Sequence, residues 1–224
     1  MDNSCLICNQ WIEQELSLLE ILCFQQKEFL LCKDCEWALQ PIKSQFCPRC
    51  YKVGEESICH DCLKWSEKGY QVNHRALYVY NDKMKDYFAK YKFQGDYILK
   101  SVFSKKIAKI IKNDYKGYVL VPVPISQKRY YERGYNQVEE ILKSEKLTYT
   151  DLVLKREGKR HSHLNKRERE QSENPFYLNK IEKTIPENIL IVDDIYTTGS
   201  TIYHIYSLLE KAGCQKIKSI SIAR

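Results

Sequence analysis

The stretch Ile189-Leu190-Ile191-Val192-Asp193-Asp194-Ile195-Tyr196-Thr197-Thr198-Gly199-Ser200-Thr201 decides the fold. Four consecutive apolar residues read as a strand covered on both faces, the kind found inside parallel sheets. The strand delivers two carboxylates to the carboxyl edge of the sheet, where open α/β folds bind ligands. A hydroxyl-rich loop with one glycine follows and runs into a helix over residues 200–211. Helix N-terminal N–H groups and nearby hydroxyls converge on an anion, which suits a phosphate. The paired acids just upstream can accept hydrogen bonds from a vicinal diol. Diol acceptors beside a phosphate cradle describe a ribose 5-phosphate site. A plain strand–loop–helix turn with a Ser N-cap accounts for Ser200, but not for two adjacent acids, three threonines and Gly199 in this order.

Outward from this segment the chain alternates strand and helix. Residues 76–80 read as a strand and residues 83–93 as a helix ending near Gly95. Residues 97–113 carry apolar side chains at 98, 99, 102, 103, 107, 110 and 111, close to the i, i+3, i+4 spacing of an amphipathic helix. Residues 118–121 read as a buried strand stopped by Pro122 and Pro124. A helix over about 135–143 follows. After the helix at 200–211, Gly213 is a C-cap, and residues 217–222 alternate apolar side chains as a last strand. This order predicts an α/β fold with a parallel sheet flanked by helices.

The first 62 residues are different. They hold nine of the ten cysteines, eight of them in Cys-x-x-Cys pairs: Cys5/Cys8, Cys32/Cys35, Cys47/Cys50 and Cys59/Cys62. The two-residue spacing turns both thiolates of a pair toward one ion, and two pairs complete the tetrahedral four-sulfur shell that zinc prefers. Two structural zincs are therefore expected, and the short segment needs them because it cannot bury a large core alone. Sequential pairing would join Cys5, Cys8, Cys32 and Cys35, then Cys47, Cys50, Cys59 and Cys62. A cross-braced arrangement would use the same residues, and loss of one of the two sites is a further alternative. The short loop closed by the second set favours sequential pairing. Cys23 reads as a packed residue, and His60 as a solvated one or as a replacement for one cysteine ligand. The expected division is a zinc-binding module over 1–66 and an α/β domain over 67–224.

The sequence of 224 residues is sized for one ordinary and one small domain. A net charge of +7 favours an anionic partner, although a lysine-rich surface kept for solubility would give the same number. No apolar run approaches the roughly 20 residues of a membrane helix. The N-terminus has no basic segment followed by an apolar core, so a cytoplasmic location is expected, and reduced thiols with it.

The segment around Asp193 resembles the signature of phosphoribosyltransferases that bind 5-phosphoribosyl 1-diphosphate (PRPP). With Lys92-Phe93-Gln94-Gly95-Asp96, Val121-Pro122-Val123-Pro124-Ile125, Arg133-Gly134-Tyr135-Asn136-Gln137 and the four cysteine pairs, the whole chain resembles the ComF family of competence proteins, of the ComFC type. The resemblance implies a type I phosphoribosyltransferase fold. It implies that Asp193 and Asp194 contact ribose hydroxyls directly or through Mg²⁺ and water. Thr197, Thr198, Gly199, Ser200 and Thr201 would surround the 5-phosphate. The turn 123–126, including Val123 and Pro124, with Lys128, Arg129 and Arg133, would face the diphosphate. The basic stretch from Lys155 to His163, continued by Lys166, Arg167 and Arg169, matches the hood that closes over PRPP in this fold. His161, Leu164 and Arg169 align only loosely with the family pattern there. The resemblance also implies a role in DNA uptake during natural transformation, a ComFA-type helicase/ATPase partner and single-stranded DNA nearby. An active enzyme passing ribose 5-phosphate from PRPP to an acceptor is the alternative, and no acceptor pocket is legible. The 17 tyrosines are compatible with base stacking, but Tyr130, Tyr131 and Tyr135 serve packing equally well.

Overall fold

The computed structural model describes residues 3–12, 30–157, 174–181 and 184–224. Cys23 and residues 158–173 of the basic stretch, with His161, His163, Leu164, Lys166, Arg167 and Arg169, lie outside them. The helices are α1 Lys33–Ala38, α2 His60–Glu67, α3 Asp82–Phe93, α4 Ser101–Asp114, α5 Gln127–Arg133, α6 Gln137–Ser144 and α7 Ser200–Lys211. The strands are β1 His74–Tyr78, β2 Val119–Pro122, β3 Val153–Lys155, β4 Phe176–Leu178, β5 Asn188–Ile195 and β6 Lys216–Ala223. Four strands form a sheet in the order β1-β6-β5-β2, and every neighbouring pair is parallel. The β3–β4 pair is a small antiparallel ribbon that the sequence reading did not anticipate.

Strand β5 is central and sorts its side chains by the period of two. Leu190 and Val192 enter a core with Met84, Tyr87 and Tyr91 of α3, Phe103 and Ile107 of α4, and Ile141 and Leu142 of α6. Ile189 and Ile191 enter a second core with Ile202, Ile205 and Leu209 of α7. The sheet is thus covered on both faces, as the uninterrupted apolar run requires.

Several boundaries differ from expectation for local reasons. Strand β5 runs through Ile195, so Asp193 and Asp194 are strand residues, paired in register with β6 from Asp193 to Ser221. The segment 97–113 begins as a 3-10 turn at Tyr97–Lys100 before α4 takes over at Ser101. The expected helix at 135–143 starts two residues late. Gly134 (φ 82°) ends α5 in the left-handed region, and the Asn136 side chain then caps α6 by accepting from Val138 N–H. Pro122 is the last residue of β2, an edge strand, where a missing N–H is tolerated.

The segment between the two cysteine sets lies along the free edge of β1. Ile42 N–H donates to Leu77 O, Val79 N–H to Gln40 O and His74 N–H to Arg49 O. Both cores reach into the cysteine-rich region: Cys5, Ile7 and Cys35 join the first, whereas Cys47, Cys50, Cys59, Cys62 and Trp65 join the second. The two cysteine sets therefore sit against opposite faces of one sheet.

Candidate functional site: an acidic strand end, a phosphate loop and two cysteine clusters

All strands of a parallel sheet end on the same side, so the segments after β1, β2, β5 and β6 share one edge. There Asp193 and Asp194 are both buried. Asp194 N–H donates to Asp193 Oδ1 at 2.8 Å. Lys92 Nζ of α3 lies 2.7 Å from Asp194 Oδ2, and the same oxygen accepts from Gln137 Nε2 of α6. Arg133 Nη1 donates to Gln137 Oε1 at 2.9 Å, so a chain of charge-assisted contacts runs from Arg133 to Lys92 through Asp194.

Two adjacent buried carboxylates cannot share one environment equally. Burial and the charge of Asp194 push the Asp193 carboxyl up to about 7. Burial acts on Asp194 too, but the Lys92 ammonium, the Gln137 amide and Arg133 outweigh it and hold that carboxyl below its ordinary value. One acid is thus fixed as an anion, and the other takes up or releases a proton near neutrality.

On the other flank Ser126 caps α5, accepting from Arg129 N–H at 3.4 Å, and Lys128 N–H donates to Glu157 Oε1 at 2.7 Å. Asn136 Nδ2 donates to Val123 O at 3.1 Å, tying the turn after β2 to α6. Lys155, over the Phe176 ring, joins this flank. Burial and the charge of Arg129 pull its ammonium down to about 8, against the attraction of Asp193 and Asp194. Burial and Arg129 likewise lower Arg133. Burial and neighbouring cations thus weaken the hold of Lys155 and Arg133 on their protons, and with Arg129 they form a cation cluster near the acids, a ready receptor for an anion with several charges.

The loop after β5 turns at Gly199, whose φ of 84° is left-handed, and a Cβ there would stand 2.2 Å from the Tyr196 hydroxyl oxygen. Only glycine fits both demands. Gly199 O accepts the first helical bond of α7, from Tyr203 N–H. Ser200 N–H donates to Thr198 Oγ1 at 3.3 Å, and Thr201 occupies the first turn of α7. Tyr196 stacks on His74 at 4.0 Å. His74 itself is held between Ser219 Oγ and Ser221 Oγ at 2.9 Å each.

Asp193 and Asp194, the loop 197–201 and the turn after β2 leading into α5 all lie at or just beyond strand ends on this edge. Lys92, Asn136, Gln137 and Lys155 belong to it too, though they were not singled out. Lys92, Asn136 and Gln137 stood in the quoted motif pieces, and Lys155 opened the basic stretch matched to the hood, but none was given a role of its own.

The eight paired cysteines gather as two sets, Cys5/Cys8/Cys32/Cys35 and Cys47/Cys50/Cys59/Cys62, the sulfurs of each within 4.8 Å of one another. This is the sequential grouping. A tetrahedral zinc with bonds of about 2.3 Å needs sulfurs about 3.8 Å apart. The Cys8–Cys32, Cys47–Cys62 and Cys50–Cys59 separations are 3.7, 3.8 and 3.5 Å. Four free thiols at these spacings fit zinc in both sets. The sets are also built alike. In each, the first pair closes a turn: Asn9 N–H donates to Cys5 O and Tyr51 N–H to Cys47 O. The residue after that pair is left-handed, Asn9 at φ 59° and Tyr51 at φ 61°. The second pair opens a helix, with Cys32 at the N-cap of α1 and Cys59 at that of α2. The module is a structural duplicate, one copy per face of the sheet. His60 is exposed at the start of α2, as expected.

The phosphoribosyl transferase domain family matches residues 101–224. The Streptococcus pneumoniae (strain ATCC BAA-255 / R6) protein named competence protein ComFC is 40% identical over 220 residues, 98% of this chain and 99% of the relative. This chain belongs to the ComF family. The ComFC protein of Bacillus subtilis (strain 168) is 30% identical over 98% of the chain and 94% of its own length. Competence protein F of Haemophilus influenzae (strain ATCC 51907 / DSM 11121 / KW20 / Rd) is 26% identical over 87% and 90%. The ComF match spans the cysteine clusters as well as the sheet. No helix among the described residues of this ComF chain is long and apolar enough to cross a membrane.

Proposed function

We propose that this chain acts in DNA uptake during natural transformation, and that its phosphoribosyltransferase fold binds a ribose 5-phosphate ligand, with Mg²⁺-PRPP the candidate. The observation that carries the site reading is the buried Asp193–Asp194 pair running directly into the left-handed turn at Gly199. The names of the relatives support the cellular role. Asp193 and Asp194 hold the ribose hydroxyls, directly or through magnesium and water. Thr197, Thr198, Gly199, Ser200 and Thr201 hold the 5-phosphate. The turn with Val123 and Pro124, together with Lys128, Arg129 and Arg133, receives the diphosphate. Two structural zincs complete the 1–66 module ahead of the 67–224 domain. The partners are a ComFA-type helicase/ATPase and single-stranded DNA, and the location is cytoplasmic.

Calorimetry of Mg²⁺-PRPP with the zinc-replete native chain and with Asp193→Asn/Asp194→Asn tests the site. Binding by the native chain and none by the variant is expected. No binding by the folded native chain removes the donor-site reading.

The alternative is an active phosphoribosyltransferase passing ribose 5-phosphate to an unnamed acceptor. The cation cluster of Arg129, Arg133 and Lys155 favours it, since such charges stabilise a departing diphosphate. Diphosphate release from PRPP that depends on an added acceptor would separate turnover from binding.

A further inference from the structure

Two side chains from distant parts of the sequence grip the backbone of the loop after β5 from behind. Trp65 Nε1–H of α2 donates to Thr198 O at 2.9 Å. Arg224 Nη1–H, just past β6, donates to Thr197 O at 2.9 Å. Neither donor is free to wander. The Trp65 ring stacks on Tyr203 of α7 at 4.6 Å and meets Tyr70 edge-on at 6.1 Å. The Arg224 guanidinium lies 4.6 Å over the Tyr196 ring, and Arg224 N–H donates to Tyr78 O at 3.0 Å.

The consequence follows from peptide geometry. No peptide bond among the described residues is cis, and in a trans peptide the C=O of one residue and the N–H of the next point in opposite directions. Pinning Thr197 O and Thr198 O toward Arg224 and Trp65 therefore turns the N–H groups of Thr198 and Gly199 the other way. Gly199 O is held by Tyr203 N–H of α7 at 2.8 Å. Successive amides facing one side make a nest for an anion.

We infer that Trp65 and Arg224 are positioning residues for the anion loop: they act through the carbonyls of Thr198 and Thr197 to aim two backbone N–H groups at the terminal phosphate. The inference rests on the reading of 197–201 as the 5-phosphate loop. It also gives the second cysteine set a task beyond folding. Helix α2 starts immediately after Cys59 and contains Cys62 and Trp65, so this cluster carries the donor that orients the loop.

The test is calorimetry on the full, zinc-replete chain with two probes, ribose 5-phosphate and magnesium pyrophosphate. Trp65→Phe keeps an aromatic ring on Tyr203 while removing the N–H and part of the buried indole, a packing loss that the pyrophosphate probe registers as well; Arg224→Met removes the other donor. Trp65→Phe is expected to bind ribose 5-phosphate about fivefold more weakly, the effect of one neutral hydrogen bond, and Arg224→Met about tenfold or more, since its donor is charged, with pyrophosphate affinity unchanged to within about twofold in both. A spectroscopic readout accompanies it. Trp11 and Trp37 are exposed, so Trp11→Phe/Trp37→Phe leaves Trp65 as the sole indole. Its emission shifts on adding ribose 5-phosphate. Unchanged affinity in Trp65→Phe and a silent Trp65 overturn the inference while leaving the site reading intact. Equal losses for both probes overturn it in favour of general loosening. A native chain that ignores ribose 5-phosphate overturns the site reading and the inference together.

Discussion

Lys92 Nζ and Asp194 Oδ2 are 2.7 Å apart, with side chains only 13% and 9% exposed. Removing one partner of a buried pair leaves the other charge uncompensated. Lys92→Met is expected to lower unfolding free energy by about 3 kcal/mol, and adding Asp194→Asn is expected to recover much of it. Urea denaturation of both variants reads this directly. A cost below about 1 kcal/mol would mean the pair is effectively solvated.

Asp193 gives a pH signature. Its folded value near 7 exceeds an unfolded value near 4, so between those pH values the folded chain binds more protons than the unfolded one. This residue's contribution to stability therefore falls as pH rises from about 4 to about 7, then levels off. Thermal melts of native protein and Asp193→Asn across this range are expected to favour the variant increasingly with pH. A constant difference would place the proton elsewhere. Binding of magnesium complexes is expected to weaken below about pH 7, as Asp193 becomes protonated.

Gly199→Ala forces a β-carbon into the left-handed region and to within 2.2 Å of the Tyr196 hydroxyl. The cost is expected to be about 2 kcal/mol or more, with loss of ribose 5-phosphate binding. Adding Tyr196→Phe should return only part of the stability, since the Tyr196 ring carbon at 2.7 Å remains.

The cysteine clusters predict about two zinc ions per chain and about one in Cys8→Ser or Cys50→Ser. Metal analysis after gel filtration decides, and a native value well under two rejects the double site.

Tyr131 and Tyr130 on α5 are exposed, whereas Tyr135 is buried with its hydroxyl on Tyr91 O. Only the first two are therefore available to stack on bases. If single-stranded DNA binds this flank, Tyr131→Ala is expected to weaken it by about 1–2 kcal/mol at fixed salt. Asp193→Asn/Asp194→Asn should leave it unchanged. An unaltered affinity in Tyr131→Ala would move the DNA surface off α5.

The sequence was informative wherever a requirement was local. The apolar run 189–192, the doubled acid and the left-handed glycine each answer to a neighbour in the chain, and so do the Cys-x-x-Cys turns. Contacts closed over long separations were silent. Lys92 reaches Asp194 across about a hundred residues, and Trp65 reaches Thr198 across 133 residues. The ribbon of Val153–Lys155 with Phe176–Leu178 was missed because two three-residue strands are too short to show a period. The late start of α6 was hidden because apolar spacing from residue 135 onward does not report that Asn136 is the N-cap.

The chain between the two cysteine clusters does more than connect them. Gln40 and Ile42 of this segment, with Arg49 inside the second cluster, satisfy backbone groups along the outer edge of β1, which would otherwise present a template for another chain to join. Both ends of this cover are anchored by four-sulfur sites. If zinc fills both sites, a chelator that removes it would bare a sticky strand, and the first visible defect would be self-association into sheet-rich aggregates at temperatures where the helices still report a native fold.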